Sequence, residues 1–253
     1  RLSSGVQTAR DDSLKRLGRP HTAQQARAAL EAARAAGFEN LSGDIMMALP
    51  NYSRDEFDET MKLIAESGAV HISAYLLKIE AGTPFGLHPP SGLPTEDEAA
   101  DFYLYAVDQL EKAGFAQYEI SNFARPGYEG RHNLIYWNCE DYLGLGPAAH
   151  SCIQNRRFYY ANRLSDFMHG QCTLKEEGVC DVSDYIMLQL RLRSGLNLKK
   201  LKELYGVVFS PRQMKFIEQC VRAGYAALQG DVLTLTPAGL IIQNSILCEL
   251  LEE

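Results

Sequence analysis

The sequence predicts an α/β protein: strands and helices alternate through the first third, and a mainly helical, winged-helix-like domain closes the chain. Three observations carry this. Apolar strand-like runs at Leu2–Val6, Leu41–Leu49 and Val70–Ile79 are separated by segments of helical period. Those runs are nearly continuous in apolar residues, as strands buried on both faces of a parallel sheet are. From about Thr173 the pattern turns to successive helices and one hairpin.

The elements follow in order. Thr22 is an N-cap for a helix to Ala36, stopped by Gly37, with Ala26, Ala29, Leu30 and Ala33 as its apolar stripe. Ser53 and Glu56 form a capping-box signature for a second helix, whose buried face is Phe57, Met61, Ile64 and Ala65. Glu80–Pro94 is rich in Pro and Gly and reads as a loop. Thr95 and Glu98 cap a third helix to Lys112, and Gln117–Phe123 is a further strand. Residues 124–170, rich in Gly, Asn, Tyr and His, read as mostly irregular. Helices are expected at Ser183–Leu192, Leu198–Tyr205, Pro211–Gly224 and Pro237–Leu251, with a hairpin at Ala226–Thr236. The domains are then residues 1–125, a connecting segment 126–172, and a C-terminal domain 173–253.

Composition narrows the function. The 253 residues hold 25 Lys+Arg against 32 Asp+Glu, a net charge of −7, with 46% apolar and 23% charged side chains, as in an ordinary globular protein. No apolar run reaches the ~18 residues that span a bilayer, and no signal peptide is seen, so a cytoplasmic location is expected. The acidic balance argues against a broad nucleic-acid or anionic-membrane surface. Residues 173–253 carry nine Lys/Arg against ten Asp/Glu, so the winged-helix-like domain lacks a DNA reader's basic face. The six cysteines (139, 152, 172, 180, 220 and 248) show no CxxC or CxxxCxxC and read as reduced, small apolar side chains. The chain opens inside a strand, which suggests a further upstream part.

Ligands of parallel α/β sheets gather at the carboxyl ends of the strands. Gln7, Asp44, Lys78 and Glu80 stand there, with Arg19 near the same edge. Asp44, inside an apolar strand, needs a partner or a ligand. Arg131–Trp137 (RHNLIYW) sets His132, Asn133, Tyr136 and the only Trp within seven residues. His ligates metal or haem iron, and Tyr and Trp offer flat apolar faces to a planar ligand. In Gly144–Ser151 (GLGPAAHS) the glycines permit close backbone approach to a ligand or to another strand, and no P-loop Lys follows. No catalytic triad, carboxylate pair or metal-protease motif is present. Asp11–Asp12 and Glu252–Glu253 read as surface or terminal charge.

The runs Gly5–Gln7, Lys15–Thr22, Asp44–Pro50 (DIMMALP), His71–Tyr75 (HISAY) and Ile79–Phe85 (IEAGTPF) resemble, in order and spacing, the radical S-adenosylmethionine proteins related to oxygen-independent coproporphyrinogen III oxidase. Tyr118–Trp137 and Tyr142–Ser151 resemble the haem-chaperone branch of that family. The resemblance covers essentially the whole chain and implies the second half of a partial (β/α)6 barrel followed by the family's C-terminal domain. It implies S-adenosylmethionine at Gln7, Arg19 and Asp44, and haem beside His132. It also implies a [4Fe–4S] cluster whose CxxxCxxC ligands this chain lacks, so no catalytic or metal residue is assigned and the chain alone is expected to be inactive. Haem binding and delivery to acceptor proteins is the reading favoured. Oxidative decarboxylation of porphyrinogen propionates, and a cluster-less interaction module, are the alternatives. A homodimer stays open.

Overall fold

The computed structural model describes residues 1–252, so Glu253 lies outside the described residues. The chain divides into two compact units, Arg1–Glu129 and Gly130–Glu253.

The first unit opens with strand β1 (Leu2–Gln7), helix α1 (Asp11–Arg16), helix α2 (Ala23–Ala35), strand β2 (Leu41–Met47), helix α3 (Arg54–Glu66) and strand β3 (His71–Leu76). A short helix α4 (Pro84–Leu87), helix α5 (Glu96–Lys112) and strands β4 (Ala116–Glu119) and β5 (Asn122–Ala124) complete it. The sheet order is β1-β2-β3-β5-β4. β1, β2 and β3 are parallel, as expected of a strand–helix repeat. β5 then pairs antiparallel with both β3 and β4. The single strand expected at 117–123 is therefore a hairpin, with Ile120–Ser121 at its turn. The third strand stops at Leu76 rather than Ile79.

Caps fix the helices as the sequence implies. Thr22 and Thr95 form complete capping boxes with Gln25 and Glu98. Asp11 is more than surface charge, because its carboxylate accepts from the Ala23 amide, 2.8 Å away, at the start of α2. At α3 only half of the expected box forms. Ser53 Oγ accepts from the Glu56 amide, but the Glu56 side chain turns into the core and accepts from buried Thr8 Oγ1 at 2.5 Å.

The two faces of the sheet differ, which corrects the reading of strands apolar on both. Val6, Leu41, Ile45, Met47, Ile72 and Phe123 join Leu30, Phe57, Ile64 and Leu110 of the helices in one core. Gly43 permits that packing, since a Cβ there would meet Ile64 Cγ2 at 2.7 Å. The other face is polar.

The second unit begins with helix α6 (Arg131–Trp137), strands β6 (His150–Ile153) and β7 (Arg156–Tyr160), helix α7 (Leu164–Met168) and strand β8 (Leu174–Val179). β6, β7 and β8 form an antiparallel sheet. Residues 124–170, expected to be irregular, thus hold two helices and two strands. Helix α8 (Val182–Gln189), strand β9 (Leu196–Asn197), helices α9 (Leu198–Tyr205) and α10 (Pro211–Arg222), and strands β10 (Ala226–Gln229) and β11 (Val232–Leu235) follow. The order β10-β11-β9, with these helices, is the winged-helix-like arrangement expected. The final helix is broken into α11 (Pro237–Ile241) and α12 (Gln243–Leu251).

Candidate functional site

The pleat of the first-unit sheet collects its polar residues on the face away from the helices. Ser3 pairs with Ser42, Ser42 with His71, and Asp44 with Ser73, so these side chains share that face. Asp44 is half-buried and accepts from Ser3 Oγ at 3.1 Å and from Ser73. Burial pushes its carboxyl above the ordinary range, against the lowering effect of the two serine bonds. A carboxylate held part-dry, with two hydroxyls and no cation bonded to it, retains acceptor capacity for a ligand hydroxyl or amine.

Gln7 comes to the same face by a less ordinary route. The β1–β2 register shifts between Ser4 and Gln7, and Gln7 takes a left-handed φ of 67°. Its side-chain amide lies over Gly5, where a Cβ would come within 2.7 Å of Nε2. The left-handed backbone at the carboxyl end of β1 and the glycine beneath the amide together fold the Gln7 side chain back along its own strand. Arg19 is not brought into contact with this pair. It stands exposed in the link between α1 and α2, which His21 ties to the Val6 carbonyl at 3.4 Å. Lys78 and Glu80 pair with each other at 2.9 Å, both exposed.

The same face holds a hydrogen-bonded chain not anticipated from the sequence. Ser42 Oγ lies 2.8 Å from His71 Nδ1, and Tyr118 OH lies 2.9 Å from His71 Nε2. Burial, and secondarily the charge of Arg1, lower the His71 pKa to about 4, so the ring is neutral near pH 7. Beside it, Asn122 donates to the buried Glu119 carboxylate. The available signal was alternation: Ser42 and Asp44 occupy every second place of β2, and His71 and Ser73 do so on β3.

Removing the Asp44 charge is expected to stabilise the fold while weakening any ligand held there. Its folded pKa lies above the unfolded value, so stability declines as pH rises through the Asp44 titration, and Asp44→Asn should abolish that decline. Urea midpoints for both proteins at pH 4 and pH 7 check this, and a lower midpoint for the variant at pH 7 would refute it.

In the second unit, His132 and Tyr136 are one helical turn apart on α6, both exposed, with Tyr136 OH 2.5 Å from His132 Nε2. Tyr142 meets Tyr136 edge-on, with ring centroids 4.5 Å apart. Trp137 is anchored instead: its carbonyl accepts from Gln189 Nε2 at 3.0 Å, and the Arg191 guanidinium lies 5.6 Å over its ring. The GLG run turns out to serve backbone packing. A Cβ on Gly144 would lie 2.3 Å from the His150 carbonyl oxygen, while the Gly144 amide donates to Ser151 Oγ.

Residues 1–64 match the Radical SAM superfamily and residues 182–242 match the HemN C-terminal domain, which defines the class of protein. The fold agrees. The structure of coproporphyrinogen III oxidase (HemN) from Escherichia coli superposes with a TM-score of 0.78 at 18% identity, over 98% of this chain and 63% of that one. The heme chaperone HemW of Escherichia coli strain K12 is 31% identical over 259 residues, covering 98% of this chain and 67% of the relative. Those of Bacillus subtilis strain 168 and Haemophilus influenzae are 30% identical, over 97% and 98% of this chain and 68% and 66% of theirs. The chain belongs to the HemW family. It spans about two thirds of the length of these relatives.

The first-unit sheet, with β1–β3 parallel, is accordingly part of a radical-SAM barrel. The residues present do not fit a [4Fe–4S] cluster. The sequence holds no CxxxCxxC, and among the described residues no group of three or more His, Cys, Asp or Glu is arranged to hold a metal ion. Among the described residues no helix is long and apolar enough to cross a membrane.

Proposed function

We propose that this chain binds haem and passes it to acceptor proteins, as part of a cytoplasmic radical-SAM protein that also binds S-adenosylmethionine. The observation that carries the reading is helix α6. It presents an exposed His–Tyr pair beside a third aromatic ring, in a chain 30–31% identical to heme chaperones over nearly its whole length. An imidazole is a common protein ligand of haem iron, and flat rings suit a macrocycle. Exposure suits a cargo that must leave again. The oxidase reading has weaker support, because the likeness to HemN at 18% identity concerns fold alone.

S-adenosylmethionine would be held on the polar sheet face. Gln7 and Asp44 are the contacts proposed there, and Arg19, exposed on the link between α1 and α2, is proposed to reach the cofactor from that link. When bound to a cluster, that cofactor supplies radical chemistry; this chain's residues would bind and orient it.

Ferric haem titrated anaerobically into the longest form of the protein is expected to give a saturable Soret shift near one equivalent. His132→Ala should alter the shifted spectrum and weaken binding roughly tenfold or more, the scale of losing one metal-site group. Absence of saturable binding, together with porphyrinogen turnover, would replace this reading with the oxidase.

A further inference from the structure

His150 stands outside the site just described, and its surroundings are those of a ligand imidazole. Its Nδ1 lies 2.7 Å from a Glu177 carboxylate oxygen. Its ring stacks on Tyr159, with centroids 4.8 Å apart and planes 20° apart. With Nδ1 engaged by a carboxylate, the proton sits on Nδ1 and the Nε2 lone pair is left to point outward. That carboxylate–histidine arrangement is how proteins fix the tautomer and orientation of a metal-binding imidazole.

The pairing is a product of the sheet's geometry. Arg157 pairs with Gly178, but Phe158 pairs with Glu176, so Glu177 is the extra residue of a bulge in β8. Gly178, at φ 107°, supplies the backbone conformation. A bulge of this kind re-aims one side chain and recurs beside functional sites. Here the side chain it aims is Glu177, and its target is His150. An exposed His–Glu pair would contribute little to stability by itself, so stability gives no reason for the device.

The His150 side chain is exposed. In the run immediately before it, Leu143 and Leu145 are 62% and 85% exposed. His132, by contrast, already has its Nε2 engaged by Tyr136. The two histidines are linked through a short ladder. Tyr136 packs on Tyr142, Tyr142 bridges Cys152 of β6, and His150 is two residues along the same strand and on the same face.

We infer that His150, presented through Nε2 and oriented by Glu177, is an axial ligand of the haem iron. The inference rests on the haem reading above and assigns an iron ligand beyond His132.

The test is ferric haem titration of the full-length protein, followed by the Soret band and by electron paramagnetic resonance, with His150→Ala, His150→Gly, Glu177→Gln and His132→Ala. His150→Ala is expected to move the Soret maximum, change the iron spin state and weaken binding at least about tenfold. Added imidazole should restore the wild-type spectrum in His150→Gly, a rescue that no general folding defect would show. Glu177→Gln should weaken binding by roughly tenfold through loss of orientation, at unchanged far-UV circular dichroism. Spectra and affinity of His150→Ala that coincide with wild type overturn the inference, and if His132→Ala alone then changes them the haem reading survives without it. Failure of the wild-type protein to bind haem saturably overturns both.

Discussion

Phe57→Ala is expected to destabilise the first unit by about 3–5 kcal/mol, the cost of emptying a large aromatic site in a packed core. Phe57 is completely buried. It meets Phe102 of α5 edge-on at 5.8 Å and Tyr105 at 6.2 Å, while Tyr52 closes the group at 5.0 Å from Phe102. The truncation removes both the transferred surface and these edge contacts, each worth about 0.5–1.5 kcal/mol. Against a domain stability of roughly 5–15 kcal/mol the loss is a large fraction. Function should suffer with it, because the helices so joined brace the sheet from which Gln7, Asp44 and His71 project. Equilibrium urea unfolding by far-UV circular dichroism measures the loss. A change below about 1 kcal/mol would mean that α3 and α5 do not share the core described.

Much of the fold could be read from the chain because its determinants are local. Thr22, Ser53 and Thr95 announce helices within three residues of themselves, and the apolar runs of β1 to β3 are separated by those helices. Where the determinants are distant, reading failed. Glu56 follows Ser53 at capping-box spacing, yet Thr8, 48 positions away, captures its carboxylate. Gln117–Phe123 carries no Gly or Pro at its turn, so one strand and a hairpin look alike in sequence. β8 is exposed along its whole length and α6 has no buried residue and no side-chain cap, so neither shows a periodic apolar signal.

The site divides in the same way. Asp44 is conspicuous as a charge within an apolar strand, and Gln7 as a polar residue at a strand's end. The GLG run was legible as a close approach, but only the backbone of His150 shows what is approached. His71 depends on Ser42 and Tyr118, 29 and 47 positions away. The Glu177 bulge exists only once β7 and β8 are paired.

His71 should make the first unit acid-sensitive over a defined range. Its pKa is about 4 in the folded protein, against 6.5 for a solvated histidine, chiefly because protonation would place a charge in a buried position. The unfolded chain therefore binds more protons than the native one between these values. The stabilisation is complete above about pH 6.5 and is lost as the pH falls towards 4, amounting to about 3 kcal/mol at 1.4 kcal/mol per tenfold. This runs opposite to Asp44, whose raised pKa costs stability as the pH increases, so titration of Asp44 offsets part of the His71 gain. His71→Gln keeps an amide to meet Ser42 and Tyr118 but cannot titrate. It is expected to flatten the loss between pH 6.5 and 4 while costing stability at pH 7, where the native imidazole satisfies both neighbours. The urea midpoint of each protein across pH 4–8, with the His71 ring proton followed by NMR, tests the argument directly. A His71 resonance titrating near 6.5 would mean that the Ser42–His71–Tyr118 chain is open to water, and that the polar face of the sheet is wetter than its packing implies.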